Sequence, residues 1–355
     1  MKIKAAVIGC GGISRFHFTG LSRAGAEILW ACDLDYKAAV ARAESVGARS
    51  TSDLGEVLAD PEVNTIVVAT GSASHKSICL AAIEAGKSVI CEKTLAETPE
   101  DAWQIVESAR RKGTIFYTSY MKRFIPAVTE AKKRLPDIGR IISVHIRTHQ
   151  PWGDLWEKIP TEGFFHTPPG GHSQVVRNYG GGILLCGGSH MVDLVLFLLG
   201  RPTRVYARLH VPDGLDYDVQ ASAILETGNG TVHFEALAHP LREIGFLRDG
   251  WDERIEITGT RGRLEILSAQ WDDPERKCSR LIHTEHGSGV VHDLMGPAES
   301  PFDRAIAFYC GNIARGEQGT LSRLTGYEAD EVLAHLKASG EIGQAMEIQW
   351  KGKEQ

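Results

Sequence analysis

No stretch of the 355 residues reaches the roughly 18 consecutive apolar positions that a membrane helix needs, so no spanning segment is expected. The chain also lacks long runs of one charge. Its 39 Lys and Arg are interspersed with 45 Asp and Glu, which argues against a nucleic acid or a membrane surface as partner. Its seven cysteines form no Cys-x-x-Cys pair, and their odd number excludes a complete disulfide framework. A reducing cytoplasm suits them better. There is no internal repeat and no low-complexity tract. The first strand begins within three residues of Met1, so no signal peptide is expected. His283-x-x-His286, followed by His292-Asp293, lacks a closing thiolate and firm helical spacing, so no metal site is expected.

What is present begins at the first strand. Ala5 to Ile8 is an apolar run of the length of a buried parallel strand. Gly9-Cys10-Gly11-Gly12 follows, and Ile13, Phe16 and Leu21 then recur at helical spacing. That order puts backbone N–H groups and a helix N-terminus where a pyrophosphate could sit. Gly9 permits the tight turn and Gly11 lets the backbone approach the phosphates, while Ser14 stands at the third fingerprint position. A second strand, Glu27 to Cys32, ends at Asp33, an acid placed to accept both ribose hydroxyls of NAD. Strands at Thr65–Thr70, Ser88–Cys91 and Thr114–Ser119 alternate with helices. One helix opens at Thr98-Pro99 with a cap residue and a first-turn proline. The pattern predicts an α/β fold with a doubly wound parallel sheet over residues 1–123. Gly9, Asp33, Thr70, Glu92 and Lys93 fall at carboxyl ends of strands and should share one crevice. Lys93 there suits either chemistry or an ion pair with Glu92.

The alternation stops near residue 124. Pro126–Leu135 reads as a helix, Ile141–Arg147 as a strand, and Glu157–Gly182 as a long irregular loop rich in Gly, Pro and His. Strands at 203–211, 219–227, 231–238, 254–258 and 263–267 predict an α+β domain over residues 124–355 with an open, largely antiparallel sheet. Helices at Phe302–Arg315 and Tyr327–Gly340 would cover or flank it. Within this domain Ser189 is expected to N-cap a helix running to Leu199, with Gly200 past its end. From Met191 to Leu199 every residue but Asp193 is apolar, so the helix should be buried nearly all round. His190 and Asp193, three apart, share a face. The pair suits a general acid/base, and it equally suits a helix end that is merely satisfied; spacing leaves both open. His149, Trp152, Trp156, Phe164, Phe165, His166 and His172 could wall a sugar site or simply pack.

Taken together, Gly9 to His17, Thr70 to His75, Cys91-Glu92-Lys93, Arg123-Phe124-x-Pro126 and Gly-Gly-Ser-His190-x-x-Asp193 resemble the glucose–fructose oxidoreductase/inositol dehydrogenase (Gfo/Idh/MocA) family along essentially the whole chain. The resemblance implies a Rossmann domain followed by an open antiparallel domain whose sheet often joins copies into a homo-oligomer, here a dimer or tetramer. It implies hydride transfer between NAD and a hydroxyl of a sugar, cyclitol or sugar derivative. Lys93 would lie beside the nicotinamide and the substrate hydroxyl, with His190 as acid/base. Gly9, Gly11, Gly12, Ile13, Asp33, Thr70, Ser72, His75, Glu92 and Lys93 would contact the cofactor. Arg123, Trp152, Cys186 and Asp193 would serve the substrate.

Three departures stand out. Glu92-Lys93-Thr94 replaces the family's Glu-Lys-Pro, and Thr70-Gly71-Ser72 replaces Thr-Pro-Asn. Cys186 stands where an acid commonly precedes the histidine by four residues. A neutral thiol neither orients an imidazole nor stabilises its charged form as a carboxylate would. Beside a dehydrogenase or reductase this leaves an NAD-dependent glycosidase or lyase, in which transient oxidation of a sugar hydroxyl permits elimination. A nucleotide-bound sensor without activity is a third reading, and the presence of both Lys93 and His190 argues against it.

Overall fold

Thr65 to Val68 is buried throughout, and Ala5 to Val7 has no exposed surface, as in strands covered on both faces. The computed structural model describes residues 1–153, 181–273 and 278–352, which divide into two compact units. The first holds Met1–Met121, Phe302–Asp330 and the chain end from Lys351. Its strands are β1 (Lys4–Ile8), β2 (Glu27–Cys32), β3 (Arg49–Thr51), β4 (Thr65–Val68), β5 (Ser88–Cys91) and β6 (Phe116–Thr118). All pair in parallel, in the order β3-β2-β1-β4-β5-β6. Between them run α1 (Ser14–Arg23), α2 (Tyr36–Val46), α3 (Leu54–Ala59), α4 (Ser72–Glu84) and α5 (Pro99–Lys112). The expected doubly wound sheet is therefore what forms, with its strand order reversing between β1 and β4. The Thr98 hydroxyl accepts the Asp101 N–H at 3.2 Å, and Gly113 ends α5 at φ +66°, as the cap signals predict. Arg49-Ser50-Thr51 carries no apolar run, so the edge strand β3 is visible only through its pairing with β2.

The second unit, Lys122–Pro301 with Glu331–Trp350, is built on a sheet of nine strands among the described residues. These are β7 (Ile141–Gln150), β8 (Pro202–His210), β9 (Gln220–Thr227), β10 (Gly230–Ala238), β11 (Asp252–Gly259), β12 (Gly262–Ser268), β13 (Arg280–Glu285), β14 (Val291–Met295) and β15 (Met346–Glu347). Their order is β14-β13-β12-β11-β7-β10-β9-β8-β15, antiparallel except where β10 meets β7. Burial alternates along β10 and β12, so one face is packed and the other open. Helices α6 (Pro126–Arg134) and α7 (Ser189–Leu199) belong to this unit. The hairpin β13–β14 occupies a stretch that reads as loop, because its alternation is polar rather than apolar. Its His283 and His292 face each other across the strands. His283 Nδ1 lies 3.4 Å from Arg134, and His292 Nε2 lies 2.9 Å from Glu285.

Two expectations change. The helix α8 (Pro301–Arg315) was expected in the second domain, over or beside its sheet. From Phe302 onward it belongs to the first unit, where Phe302 stacks on Phe16 at 5.0 Å and Tyr309 on Tyr117 at 4.6 Å. Its apolar and aromatic stripe matches the side chains of α1 and β6. The last helix, α9 (Thr325–Ile342), is shared: residues to Asp330 join the first unit and later ones the second, where Ser339 Oγ accepts the Ala207 N–H at 2.9 Å. Contacts divide the chain between Met121 and Lys122, two residues before the boundary expected at 123, and return it later to the first unit. No helix among the described residues is long and apolar enough to cross a membrane.

Gly9 sits at φ +96°, and a Cβ there would lie 2.5 Å from the Ala69 carbonyl oxygen. Because that neighbour is backbone, relief requires β1 and β4 to separate. Gly9→Ala should destabilise the protein by about 2–4 kcal/mol, combining left-handed strain with overpacking, read as a lower denaturation midpoint at unchanged slope.

Candidate active site

The turn after β1 is a cradle of backbone. The Gly9 N–H donates to the Cys32 carbonyl at 2.8 Å, and among the described residues nothing beyond the chain neighbours lies within 4 Å of where a Cβ would stand on Gly11 or Gly12. Helix α1 follows Ile13 with neither a side-chain cap nor an acidic residue in its first turn, so its N-terminal N–H groups stay available to an anion. Ser14 is buried, and its hydroxyl donates to the Gly11 carbonyl at 2.7 Å, which tethers the loop where a third glycine is usual. Asp33 accepts the Cys10 N–H at 2.7 Å and the Asp35 N–H at 2.8 Å, so its carboxylate is fixed beside the turn. Burial, reinforced by Asp33, pushes the Cys10 thiol up to about 12, and it stays protonated. An open glycine cradle, an uncapped helix start and a fixed carboxylate fit a dinucleotide.

Beyond β4, Thr70 and Ser72 stand at the start of α4, which Gly71 begins without a side-chain cap. Ser74 Oγ donates to Thr70 Oγ1 at 2.7 Å. His75, expected at the cofactor edge, is fully buried instead. Its Nε2 lies 3.1 Å from the Thr70 carbonyl and its Nδ1 2.9 Å from the Thr94 carbonyl. Burial lowers its pKa despite both carbonyls. The side chain thus joins the loops after β4 and β5.

Glu92 is buried at the end of β5, and His17 Nε2 from α1 donates to it at 2.8 Å. Burial alone would raise its pKa, but the bond and charge of His17, the Lys93 charge and Ser119 together hold it below the usual range. The other Glu92 oxygen accepts the Lys93 N–H at 3.3 Å. Lys93 is half-buried, and its peptide bond to Thr94 is cis. His17, which sequence reasoning left out of the site, is the side chain that makes an ionised Glu92 tenable here. A buried-face histidine one turn into the fingerprint helix is the signal that could have found it.

In the second unit, a π-helical turn, Leu184–Gly188, runs into α7. Ser189 is therefore not the N-cap: the chain is already helical there, and its hydroxyl donates to the Cys186 carbonyl at 2.9 Å. Cys186 is half-buried on this turn, and its N–H donates to the Gly182 carbonyl. The turn starts on Asp218, whose carboxylate accepts the Leu184 N–H at 2.8 Å and which burial pushes up to about 6. It ends against β7, where a Cβ on Gly187 would lie 2.2 Å from Gln150 Nε2. His190 and Asp193 are both buried. Asp193 is held by Arg123 through both carboxylate oxygens, Nε at 2.9 Å and 3.0 Å and Nη2 at 2.7 Å. Trp152 is buried, and its indole N–H donates to Gln150 Oε1 at 3.0 Å. Gln150 Nε2 donates to Thr148, which donates to Glu253, itself paired with Lys122. That polar chain gave no sequence signal. His149 bonds Glu235, while Trp156, Phe164, Phe165, His166 and His172 lie outside the described residues.

Two family models match the chain: the oxidoreductase family's NAD-binding Rossmann fold over residues 3–120, and the GFO/IDH/MocA C-terminal domain over residues 130–265. Inositol 2-dehydrogenase 2 of Saccharopolyspora erythraea is 33% identical over 96% of this chain and 94% of that enzyme. 1,5-Anhydro-D-fructose reductase of Ensifer adhaerens is 29% identical over 97% of this chain and 98% of that enzyme. The fold is also that of an NAD-binding oxidoreductase from Klebsiella pneumoniae, with a TM-score of 0.81 at 20% identity, covering 99% of this chain and 100% of that one. With its glycine cradle inside one matched domain, its His190 helix inside the other, and relatives aligned along its full length, the chain belongs to the Gfo/Idh/MocA family of NAD-binding oxidoreductases.

Proposed function

We propose that this oxidoreductase moves hydride between NAD and a hydroxyl-bearing carbon of a sugar, cyclitol or sugar derivative. The observation that carries the reading is Lys93 at the carboxyl end of β5, its amide bonded to a buried, paired Glu92. The inositol dehydrogenase and the anhydrofructose reductase that align along the whole chain support the substrate class. When bound, NAD accepts the hydride in oxidation and returns it in reduction. Lys93 holds the substrate oxygen through its ammonium and stabilises the negative charge that develops as the hydroxyl proton leaves. His190 takes that proton on an imidazole nitrogen in oxidation and gives it back in reduction. Arg123 fixes Asp193, and so the helix that carries His190; Trp152 and Cys186 serve the substrate side. Gly9, Gly11, Gly12 and Ile13 offer backbone to the pyrophosphate, Asp33 accepts from the ribose, and Thr70 and Ser72 line the cofactor. His75 and Glu92 act by holding the loops around Lys93.

Relatives that are a dehydrogenase and a reductase support plain hydride transfer rather than the elimination route. We read the open face of the second sheet as the contact between copies in a dimer or tetramer. Exposed Tyr206 sits opposite exposed Ile224 across β8 and β9, and His145 stacks on His233 at 4.6 Å. Seven free thiols suit a cytoplasmic setting.

NADH formation against a panel of sugars, cyclitols and glycosides tests the activity. NAD(H) should be preferred over NADP(H), since Asp33 repels a 2′-phosphate and its exposed neighbour Leu34 offers it no cation. Asp33→Ser should narrow that preference by about tenfold in the ratio of dissociation constants. Tighter NADP(H) binding by the wild type would defeat the assignment.

Lys93→Met keeps most of the stem and removes the ammonium. Turnover should fall by at least about 10²-fold with NAD affinity within about threefold of wild type. Near wild-type turnover would remove Lys93 from the chemistry.

His190→Ala should abolish most turnover across the pH range. In Cys186→Asp an ionised carboxylate stabilises the imidazolium, so the protonated form persists to higher pH. Oxidation needs the free base, and its ascending pH limb should therefore move upward. A pH profile of wild type and both variants decides: loss in His190→Ala without movement in Cys186→Asp keeps the base and removes the coupling.

A further inference from the structure

The helix α9 reaches the Lys93 segment from far along the chain. Asp330 is buried, and its Oδ2 accepts the Ala96 N–H at 2.9 Å, three residues past Lys93. One turn earlier on the same helix, Gly326 lies so close that a Cβ would stand 2.7 Å from Leu95 Cβ and 2.3 Å from Thr118 Oγ1. From the opposite side, the His75 ring meets the Thr94 carbonyl at 2.9 Å. The segment Lys93 to Ala96 is thus gripped between α4 and α9. We propose that Asp330 is a positioning residue for Lys93, holding the Leu95–Ala96 turn against α9 so that the lysine leaves β5 in one direction. The inference rests on Lys93 being the group that acts on the substrate oxygen.

The state of the carboxyl follows from its surroundings. Asp330 Oδ1 is buried without a hydrogen-bond partner, and no cation among the described residues forms an ion pair with Asp330. The titratable groups around it are Lys93 on the turn and the buried Cys91 on β5, beside Cys79 of α4. Burial raises the Asp330 carboxyl well above its ordinary range; the Ala96 and Leu95 amides and the Lys93 charge offset only part of that. Its surroundings therefore favour the protonated carboxyl, which meets the Ala96 N–H through Oδ2. A neutral acid holds the turn through the Ala96 bond alone, with no charge of its own needed.

Asp330→Ala, Asp330→Asn and Lys93→Met, compared with wild type in the full chain, test this. Asp330→Ala strands the Ala96 N–H, so kcat should fall by about 10²-fold while the dissociation constant of NADH, read by fluorescence, moves less than about threefold. Asp330→Asn presents the same carbonyl oxygen and is uncharged. It should restore kcat to within about twofold, with a pH profile that superimposes on wild type. A second readout needs no substrate. A carboxyl whose folded pKa is raised loses stability as pH climbs past its unfolded value of about 3.9, and Asn cannot. The Tm of Asp330→Asn minus that of wild type should therefore grow as pH rises from about 4. Wild-type kcat in Asp330→Ala, an Asn variant as slow as Ala, a displaced pH profile in Asn, or a constant Tm difference would each overturn the proposal. Retained turnover in Lys93→Met would remove the reading beneath it, a failure distinct from these.

Discussion

A carboxylate sealed from water must find a partner or give up its charge, and the functional segments of this protein are fixed by how that demand is met. Glu92 meets it with His17, and the bond ties the end of β5 to the fingerprint helix α1. Asp193 meets it with the fork of Arg123, which pins α7 through two oxygens. Glu253 takes Lys122, the residue next in sequence to Arg123. Adjacent cations thus reach two different elements of the second unit and hold both. Asp218, with a backbone amide in place of a cation, anchors the start of the π-helical turn.

Close backbone approach is the other half of the design. At Gly9 it lets β1 and β4 lie edge to edge where the strand order reverses, opening the loops after them to a ligand. At Gly187 it lets the π-helical turn rest on the Gln150 amide. That amide is oriented by Trp152 on one side and Thr148 on the other, so every donor in the chain points toward Glu253. A side chain at either glycine would lift its loop from the group it rests on.

The departures from family pattern acquire physical content in this setting. Ser14 replaces a glycine without opening a gap, because its hydroxyl folds back onto the Gly11 carbonyl. Gly71 leaves the start of α4 uncapped, and the Ser74 hydroxyl compensates by tying Thr70 and the Gly71 carbonyl to the helix. Thr94 keeps its carbonyl in the grip of His75. Cys186 sits on the π-helical turn that runs into the helix of His190, and its N–H is committed to the Gly182 carbonyl.

Local pattern was enough to read most strands and helices of residues 1–121, though not β3, and not that α8 joins the same unit. Apolar runs of strand length, a glycine turn and capped helices are all short-range signals, and in a parallel sheet they fall in a fixed rhythm. The strand ends then follow, and with them Gly9, Asp33, Thr70, Glu92 and Lys93. Order in the second unit was legible less well: β13 and β14 alternate polar residues, and the π-helical turn running into α7 leaves Ser189 inside helix rather than at its N-cap. Partners were not legible at all. That His17 answers Glu92 across 75 positions, that Asp330 reaches Ala96 across 234, and that α8 packs on α1 depend on contacts between distant segments. Sequence by itself determined the elements and the residue types at their ends, because backbone geometry and burial act over a few residues. Only the tertiary structure decided which buried charges meet, because that is set by packing once the chain has closed.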